Sequence, residues 1–285
     1  MNRRTWGLLM VASALFVAAA SARADEWTKT YALKGRGDLL VQTGDGEVSV
    51  LSSDQKDISA RVTTVGYKIG PDDVRIDANQ NGDHISIAIK APHINGNWFS
   101  SMRHEIHVEL RVPRDLDLSV TTGDGAVTVQ PISGNVRIRT GDGSIHADSL
   151  KGDVFLHTGD GSIEGKNFDG RLKAESGDGG IHLSGRFDGL EVNTGDGSVN
   201  ADIASGSKTE GIWSLRSGNG SITLRVPTDL RANLDLNTGD GSVTTDLPLM
   251  VQGSVSRSHV RGAMNGGGGE VKVTTGDGSI HVSRS

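Results

Sequence analysis

Nine near-copies of one short phrase run through the chain: Ser or Thr, then Gly-Asp-Gly or once Gly-Asn-Gly, then a step to Ile or Val. They begin at Thr43, Thr122, Thr140, Thr158, Ser176, Thr194, Ser217, Thr238 and Thr275. The five consecutive copies from Thr122 to Thr194 keep one constant spacing without slippage, so the chain is built from a unit that is copied and stacked. Such a repeat constrains architecture far more than activity.

The residues before each phrase alternate strictly. Val136, Ile138 and Thr140 are separated by Arg137 and Arg139, and Leu172, Ala174 and Ser176 by Lys173 and Glu175. Period two with one apolar face is the pattern of a half-buried strand. The apolar face resumes after the phrase at Ile145 and Ala147, Ile163, Ile181 and Leu183. Each unit therefore reads as strand, glycine turn, strand, second turn, with second turns at 150–153 and 168–171. Glycine suits such corners because it enters φ > 0 without Cβ strain. The Asp between two glycines can accept from backbone N–H groups that the bend leaves unpaired.

Two all-β folds can use these units. In a parallel β-solenoid each unit is one coil of about 18 residues, and equivalent strands pair with the coils above and below. In an antiparallel β-meander the Asp-Gly step is a hairpin tip. The constant period favours the solenoid, because stacking superimposes Thr on Thr and Asp on Asp; strand twist favours a right-handed coil. The apolar positions lack the six-residue recurrence of a left-handed hexapeptide helix, and the phrase lacks the Gly-Gly-x-Gly-x-Asp form of calcium-binding nonapeptide rolls.

The organisation expected is a signal peptide over 1–24 and one β-strand-repeat domain over 25–285, divided into less regular coils or a cap (25–113) and regular repeats (114–285). Between Thr43 and Thr122, strand-like stretches run at 58–64, 74–77, 84–89 and 105–112, and these cover an open end of the stack. Leu110-Arg-Val-Pro113 leading to Thr122 is echoed by Leu224-Arg-Val-Pro227 leading to Thr238, suggesting a longer-period duplication. Gly266 to Gly269 read as a flexible loop before the last coil.

Arg3 and Arg4, an apolar run from Leu8 to Ala20 and Ala22-Arg-Ala24 have the form of a secretory signal, with cleavage expected after Ala24. Its removal leaves 26 Lys and Arg against 35 Asp and Glu, so the net charge moves from −6 to about −9. Nothing in that balance suits DNA or an anionic membrane. There is no cysteine, which excludes a disulfide framework and a thiolate metal site. An exported protein of the periplasm or the medium is expected, without nucleic-acid partners and not integral to the membrane.

The stacked Thr-Gly-Asp-Gly-Ser-Ile phrases, the lead-ins at Arg111 and Arg225, and Arg261-Gly-Ala-Met-Asn-Gly-Gly-Gly-Gly269 running into Thr275 resemble the bacterial putative-adhesin family. That resemblance covers nearly the whole mature chain and implies β-strand-repeat domains of unknown function behind secretion signals. It supplies no catalytic residues to carry over.

Among candidate sites, the Asp column is the sharpest: Asp124, Asp142, Asp160, Asp178 and Asp196 fall about 4.8 Å apart in stacked coils. Like charges at that distance repel by about 0.9 kcal/mol in water, so solvent, hydrogen bonds or a cation such as calcium must relieve them. Turn chemistry accounts for these residues without a metal. Asp77 to Asp83 opens like an EF-hand loop, but Ala88 stands where Glu is needed, and Asn81-Gly82 reads as a hairpin turn. His104-Glu-Ile-His107 is one residue short of the zinc-protease phrase. His146, His182 and His281 share an outer repeat position, with Glu164 and Asn200 in register between them. Arg36-Gly37-Asp38 spells an integrin-binding tripeptide, a triplet that arises by chance. Arg137, Arg139, Lys173 and Glu175 can sit side by side as in a polysaccharide lyase, yet alternation alone makes such outward charges. Only Trp27, Trp98 and Trp213 remain after cleavage for stacking on sugars.

The reading is an exported, non-enzymatic β-solenoid, an adhesin or structural envelope module that displays rows of polar side chains to a cell-surface or envelope protein or glycan. No catalytic, cofactor-binding or metal-ligating residue is assigned and no cofactor is expected. The alternatives are a carbohydrate-binding or carbohydrate-active β-helix and a calcium-dependent scaffold.

Overall fold

The computed structural model describes residues 24–92, 104–251 and 256–285. The expected signal segment before Ala24, and Trp98, lie outside the described residues. Everything described is strand, turn or irregular chain, and its 23 strands join in one hydrogen-bonded sheet.

Through the middle of the molecule the repeat pairs in parallel. Ile132–Thr140 lies beside Leu150–Thr158 with Ile132 opposite Leu150 and Thr140 opposite Thr158, an offset of one full repeat. The same offset carries Val154 to Leu172 and Leu172 to Leu190. After each glycine corner, Ile145–Asp148 pairs in parallel with Ile163–Ser176, which pairs with Ile181–Thr194. Parallel pairing of copy with copy excludes the hairpin meander for these repeats. One strand–corner–strand unit is a rung, and the stacked rungs form a solenoid-like column.

Alternation sets what lies inside. Val136, Ile138, Val154, Leu156, Leu172 and Ala174 are at most 5% exposed, and they form one buried cluster with Ile145, Ile163 and Ile181 from the other ladder. Gly165 leaves a gap that Phe168 fills, since a Cβ there would strike the Phe168 ring. Phe168, Phe187 and Trp213 follow one another through the core at ring separations of 6.2 and 6.4 Å, the second pair edge to face.

The second corners are bends within continuous strands. Ile163–Ser176 and Ile181–Thr194 run straight through them, while Ser149 alone separates Ile145–Asp148 from Leu150–Thr158. Ser149 and Asn167, at equivalent places in successive rungs, adopt left-handed φ of 57° and 56°, and Gly152 and Gly170 have φ of 117° and 141°. The Asp148 carboxylate accepts from Ser149 Oγ and Asn167 Nδ2, tying two successive corners together.

At both ends, order along the chain departs from order in space. Gly37–Thr43 is sandwiched between His84–Lys90 and Leu116–Thr121, and Glu47–Ser53 between Glu105–Pro113 and Val127–Val129. The rung that follows 37–53 in sequence thus lies outside it, and the chain returns to stack on the other side. At the C-terminal end, Gly269–Thr275 lies between Trp213–Ser217 and Ala232–Thr238. Ile280–Arg284 likewise lies between Ile222–Val226 and Val243–Thr245. The last rung is therefore inserted between two rungs that precede it. Both Leu-Arg-Val-Pro lead-ins, at 110–113 and 224–227, sit where the chain steps over one rung to reach the next but one. That is the structural content of their similarity.

Antiparallel strands cover the outer rungs. Asp57–Val65 pairs with Glu105–Pro113 and carries Asp25–Ala32 on its other side. Arg75–Asn81 pairs with His84–Lys90 across a two-residue loop in which Gly82 has φ of 63°, the expected hairpin turn. His259–Met264 pairs with Ala232–Thr238.

Candidate binding face: stacked corners and a charged cleft

All nine phrases stack in one column, in the spatial order 43, 122, 140, 158, 176, 194, 217, 275, 238. Each corner hydrogen-bonds to the one beside it: Gly159 N–H donates to the Gly141 carbonyl at 2.5 Å and Gly177 N–H to Gly159 at 2.5 Å. The end rungs join in the same way, with Gly276 N–H on the Gly218 carbonyl and Asp240 N–H on Gly276.

The Thr is the internal brace of the corner. Thr158 is fully buried; its Oγ1 accepts from Gly161 N–H at 3.1 Å and donates to the Gly143 carbonyl of the neighbouring rung at 2.9 Å. Thr140, Ser176, Thr194 and Thr238 repeat the pattern. Each hydroxyl thus satisfies polar groups within the corner that water cannot reach.

The reason for the glycines differs from the sequence expectation. No glycine of the phrases has a left-handed φ. A Cβ on Gly143 would overlap the Gly125 carbonyl, and one on Gly161 the Gly143 carbonyl. Close approach of stacked backbones demands glycine here. The Asp expectation changes as well: Asp124, Asp142, Asp160 and Asp178 are exposed, and among the described residues none caps a backbone N–H. Asn219, the one Asn of the column, donates to Asp196 at 2.5 Å and replaces a carboxylate–carboxylate contact by a hydrogen bond. No group of three or more His, Cys, Asp or Glu among the described residues has metal-holding geometry.

The outward rows of the first ladder enclose a cleft of about 680 Å³ lined by Arg137, Asp153, Phe155, Arg171, Lys173 and Glu191, among others. Register places Arg137, Phe155, Lys173 and Glu191 on successive rungs of one row. Phe155 stands outward where the alternation calls for a polar residue. The Arg139 guanidinium lies 4.8 Å from its ring centroid, and the His157 ring is parallel to it at 6.3 Å. Arg171 grips Asp153 through two bonds of 2.6 and 2.8 Å, and those bonds hold the Asp153 carboxyl below its ordinary range. Lys173 reaches Glu175 at 2.9 Å and Glu191 at 3.0 Å, which raises its ammonium above the ordinary lysine value. Arg137 and Arg139 have no carboxylate partner among the described residues. Ile212, 71% exposed, closes the far end. Sequence reasoning put Arg137, Arg139, Lys173 and Glu175 on one face, but they are not side by side: Phe155 and His157 of the intervening rung stand between the two pairs, and Phe155 was missed. Its signal was the unbroken apolar run Val154-Phe155-Leu156.

The other candidates have ordinary partners. Arg36 pairs with Asp115 and Asp117, and Asp38 with His84, so the Arg-Gly-Asp triplet is engaged within the fold. His107 contacts Glu47 and Glu105, while the His104 ring lies tilted against Tyr67 at 4.7 Å. His146 and His182 flank Glu164 on the outer face, in the expected register. Trp213 is 2% exposed and belongs to the core.

The fold and corners define an all-β, solenoid-like protein assembled from a short strand repeat. The Toastrack DUF4097 family model matches residues 37–283, and the chain belongs to that family. No curated protein matches the sequence. Among solved structures, similarity is found to a "putative cell adhesion protein" from Clostridium sporogenes at 14% identity, covering 92% of this chain and 100% of that one, with a TM-score of 0.33. A "putative lipid binding protein" from Parabacteroides distasonis shares 14% identity over 90% of this chain and 96% of its own, with a TM-score of 0.45. A "putative adhesin" from Bacteroides fragilis shares 13% over 90% and 96%, with a TM-score of 0.43. Among the described residues no helix is long and apolar enough to cross a membrane.

Proposed function

We propose that the protein is an exported, non-enzymatic display module of the cell envelope, released from its signal segment after Ala24 and folding as one unit over 25–285. The observation that carries this reading is the parallel stack itself. It turns each outward sequence position into a row of side chains one strand spacing apart, about 4.8 Å, on a body braced by nine superposed corners. A right-handed winding is the sense that strand twist favours. The cleft around Arg137 and Phe155 is the part of that surface fitted to hold a partner, because it sets a guanidinium without a carboxylate partner beside a half-buried aromatic ring that Arg139 covers.

Pull-down from envelope extracts with the mature chain, run beside a glycan array and a reducing-sugar assay, tests the proposal. Capture of an envelope protein or glycan that falls at least about tenfold for Phe155→Ala with Arg137→Ala supports display through the cleft, since interface anchors carry most of the binding energy. Sugar release would move the protein to the carbohydrate-active reading. The aromatic and basic residues of the cleft favour a carbohydrate-binding module as the second reading.

A further inference from the structure

The rung formed by 269–284 lies between two rungs that both precede it in sequence. The strands that flank this rung all precede it in sequence: 213–217 and 232–238 in one ladder, 222–226 and 243–245 in the other. The segment that separates them comes last. It enters parallel to both neighbours in each ladder, with Val271 opposite Trp213 and Leu234, and Ile280 opposite Ile222 and Val243.

The final segment works as a clasp. His259–Met264 runs along the outer side of Ala232–Thr238, and Met264 lies opposite Ala232. Gly269 lies opposite the same Ala232 on the inner side. Asn265 to Gly268 therefore pass around the start of that strand. Asn265, Gly266 and Gly267 take left-handed φ of 53°, 82° and 81°, and Asn265 Nδ2 donates to the carbonyls of Thr228 and Leu230 at 2.8 and 2.7 Å. A Cβ on Gly268 would overlap the Arg231 carbonyl, so the run of glycines is a close-passing strap. The loop expected to be flexible is pinned.

What the slot requires is an extended segment with inward Val271, Val273, Thr275, Ile280 and Val282 and a glycine corner that stacks on Gly218 and under Gly239. It reads nothing that identifies the donor molecule. We propose that the slot between rungs 213–226 and 232–245 is a strand-acceptor site, and that its second occupant is the C-terminal clasp of another copy of this chain. The two copies then join by reciprocal exchange, using the hydrogen bonds that close the monomer.

The chain has no cysteine, so single thiols report the exchange cleanly. Thr223 faces His281 in one ladder contact and Thr244 faces His281 in the other, within reach of a short bis-maleimide. Full-length Thr223→Cys and His281→Cys proteins are mixed, unfolded and refolded together, then cross-linked, and Thr244→Cys with His281→Cys is treated the same way. Double variants that cross-link within one chain serve as reference. With cis closure at an effective concentration of ~1 mM, co-refolding at ~100 µM should place ~10% of chains in exchanged dimers, about half of them mixed pairs that cross-link, falling about tenfold on tenfold dilution. Dimers from both pairs, absent when folded proteins are mixed briefly, are expected. Monomers alone at every concentration would overturn the proposal. So would dimers from the 223–281 pair without the 244–281 pair, since then residues from 232 onward exchange as one block and no slot exists.

Discussion

The middle of the stack and its two ends use one phrase in different ways. Between Thr122 and Thr194 each rung lies on the rung that precedes it in sequence, and glycine corners touch backbone to backbone. At the ends the same corners stack just as closely, but neighbours in space are distant in sequence: the corner at Thr43 lies beside that at Thr122, and Ser217 beside Thr275. The repeat thus specifies what a rung can stack on and leaves open which copy does so. Connections decide that: the lead-ins at 110–113 and 224–227, and the clasp at 259–284.

The largest effect should come from breaking the middle. Gly143→Val with Gly161→Val drives two Cβ atoms into carbonyls that cannot withdraw without separating rungs, and should cost about 2–6 kcal/mol in a urea melt. A melt within error of the wild type would remove backbone approach as the reason for the repeat. Thr158→Val keeps the shape and deletes one donor and one acceptor, leaving Gly161 N–H and the Gly143 carbonyl unsatisfied. About 2–3 kcal/mol is expected, and loss of cooperativity would show that the corner braces the whole column.

At the C-terminal end, Asn265→Ala removes two hydrogen bonds and puts Ala at a left-handed φ, so about 1–2 kcal/mol should be lost. If the clasp closes after the middle of the stack, the loss should appear mainly as faster unfolding in stopped-flow traces, whereas Thr158→Val should also slow folding. Equal partition in both variants would erase the distinction between middle and end.

A smaller effect concerns Asp235 on the outer rung. Burial resists its ionisation, but hydrogen bonds from His259 and Arg261 outweigh that and hold its carboxyl below the ordinary range. A depressed native carboxyl contributes its stability in full above the unfolded value of about 4 and loses it as pH falls through the native value. The wild-type melting temperature should therefore fall more steeply below about pH 4 than that of Asp235→Asn. Parallel pH profiles would dissociate that cluster from stability. Least of all should Arg171→Gln matter, because the Arg171–Asp153 pair is well exposed; a shift of about 1 °C or less is expected in calorimetry.

Alternation at 136–140 and 154–158 made the strands, the inward columns and the outward charges legible without coordinates. Asn81-Gly82 was legible as a hairpin because its turn chemistry is local. The glycine corners were located correctly, and the φ > 0 explanation holds at Gly152 and Gly170 of the second corners but not in the Gly-Asp-Gly phrases. Whether a glycine is needed for its own φ or for a neighbour's carbonyl depends on an atom of the adjacent rung, a full repeat away along the chain. The cleft was half legible: Arg137 and Arg139 follow from the pattern, while Phe155 gains meaning only when Arg139 covers its ring.

By itself the sequence determined the rung: its strands, its corner, and the parallel stacking that a constant offset imposes. Those are short-range choices, made by side-chain alternation and by what fits beside a copy of itself. Only the tertiary structure decided the order of the rungs at the ends and the placement of 269–284 between two rungs that precede it in sequence. Near-identical rungs offer near-identical edges, so no local preference distinguishes one neighbour from another. Chain connectivity, the caps and the burial of the remaining edges select among arrangements that the repeat alone treats as equal.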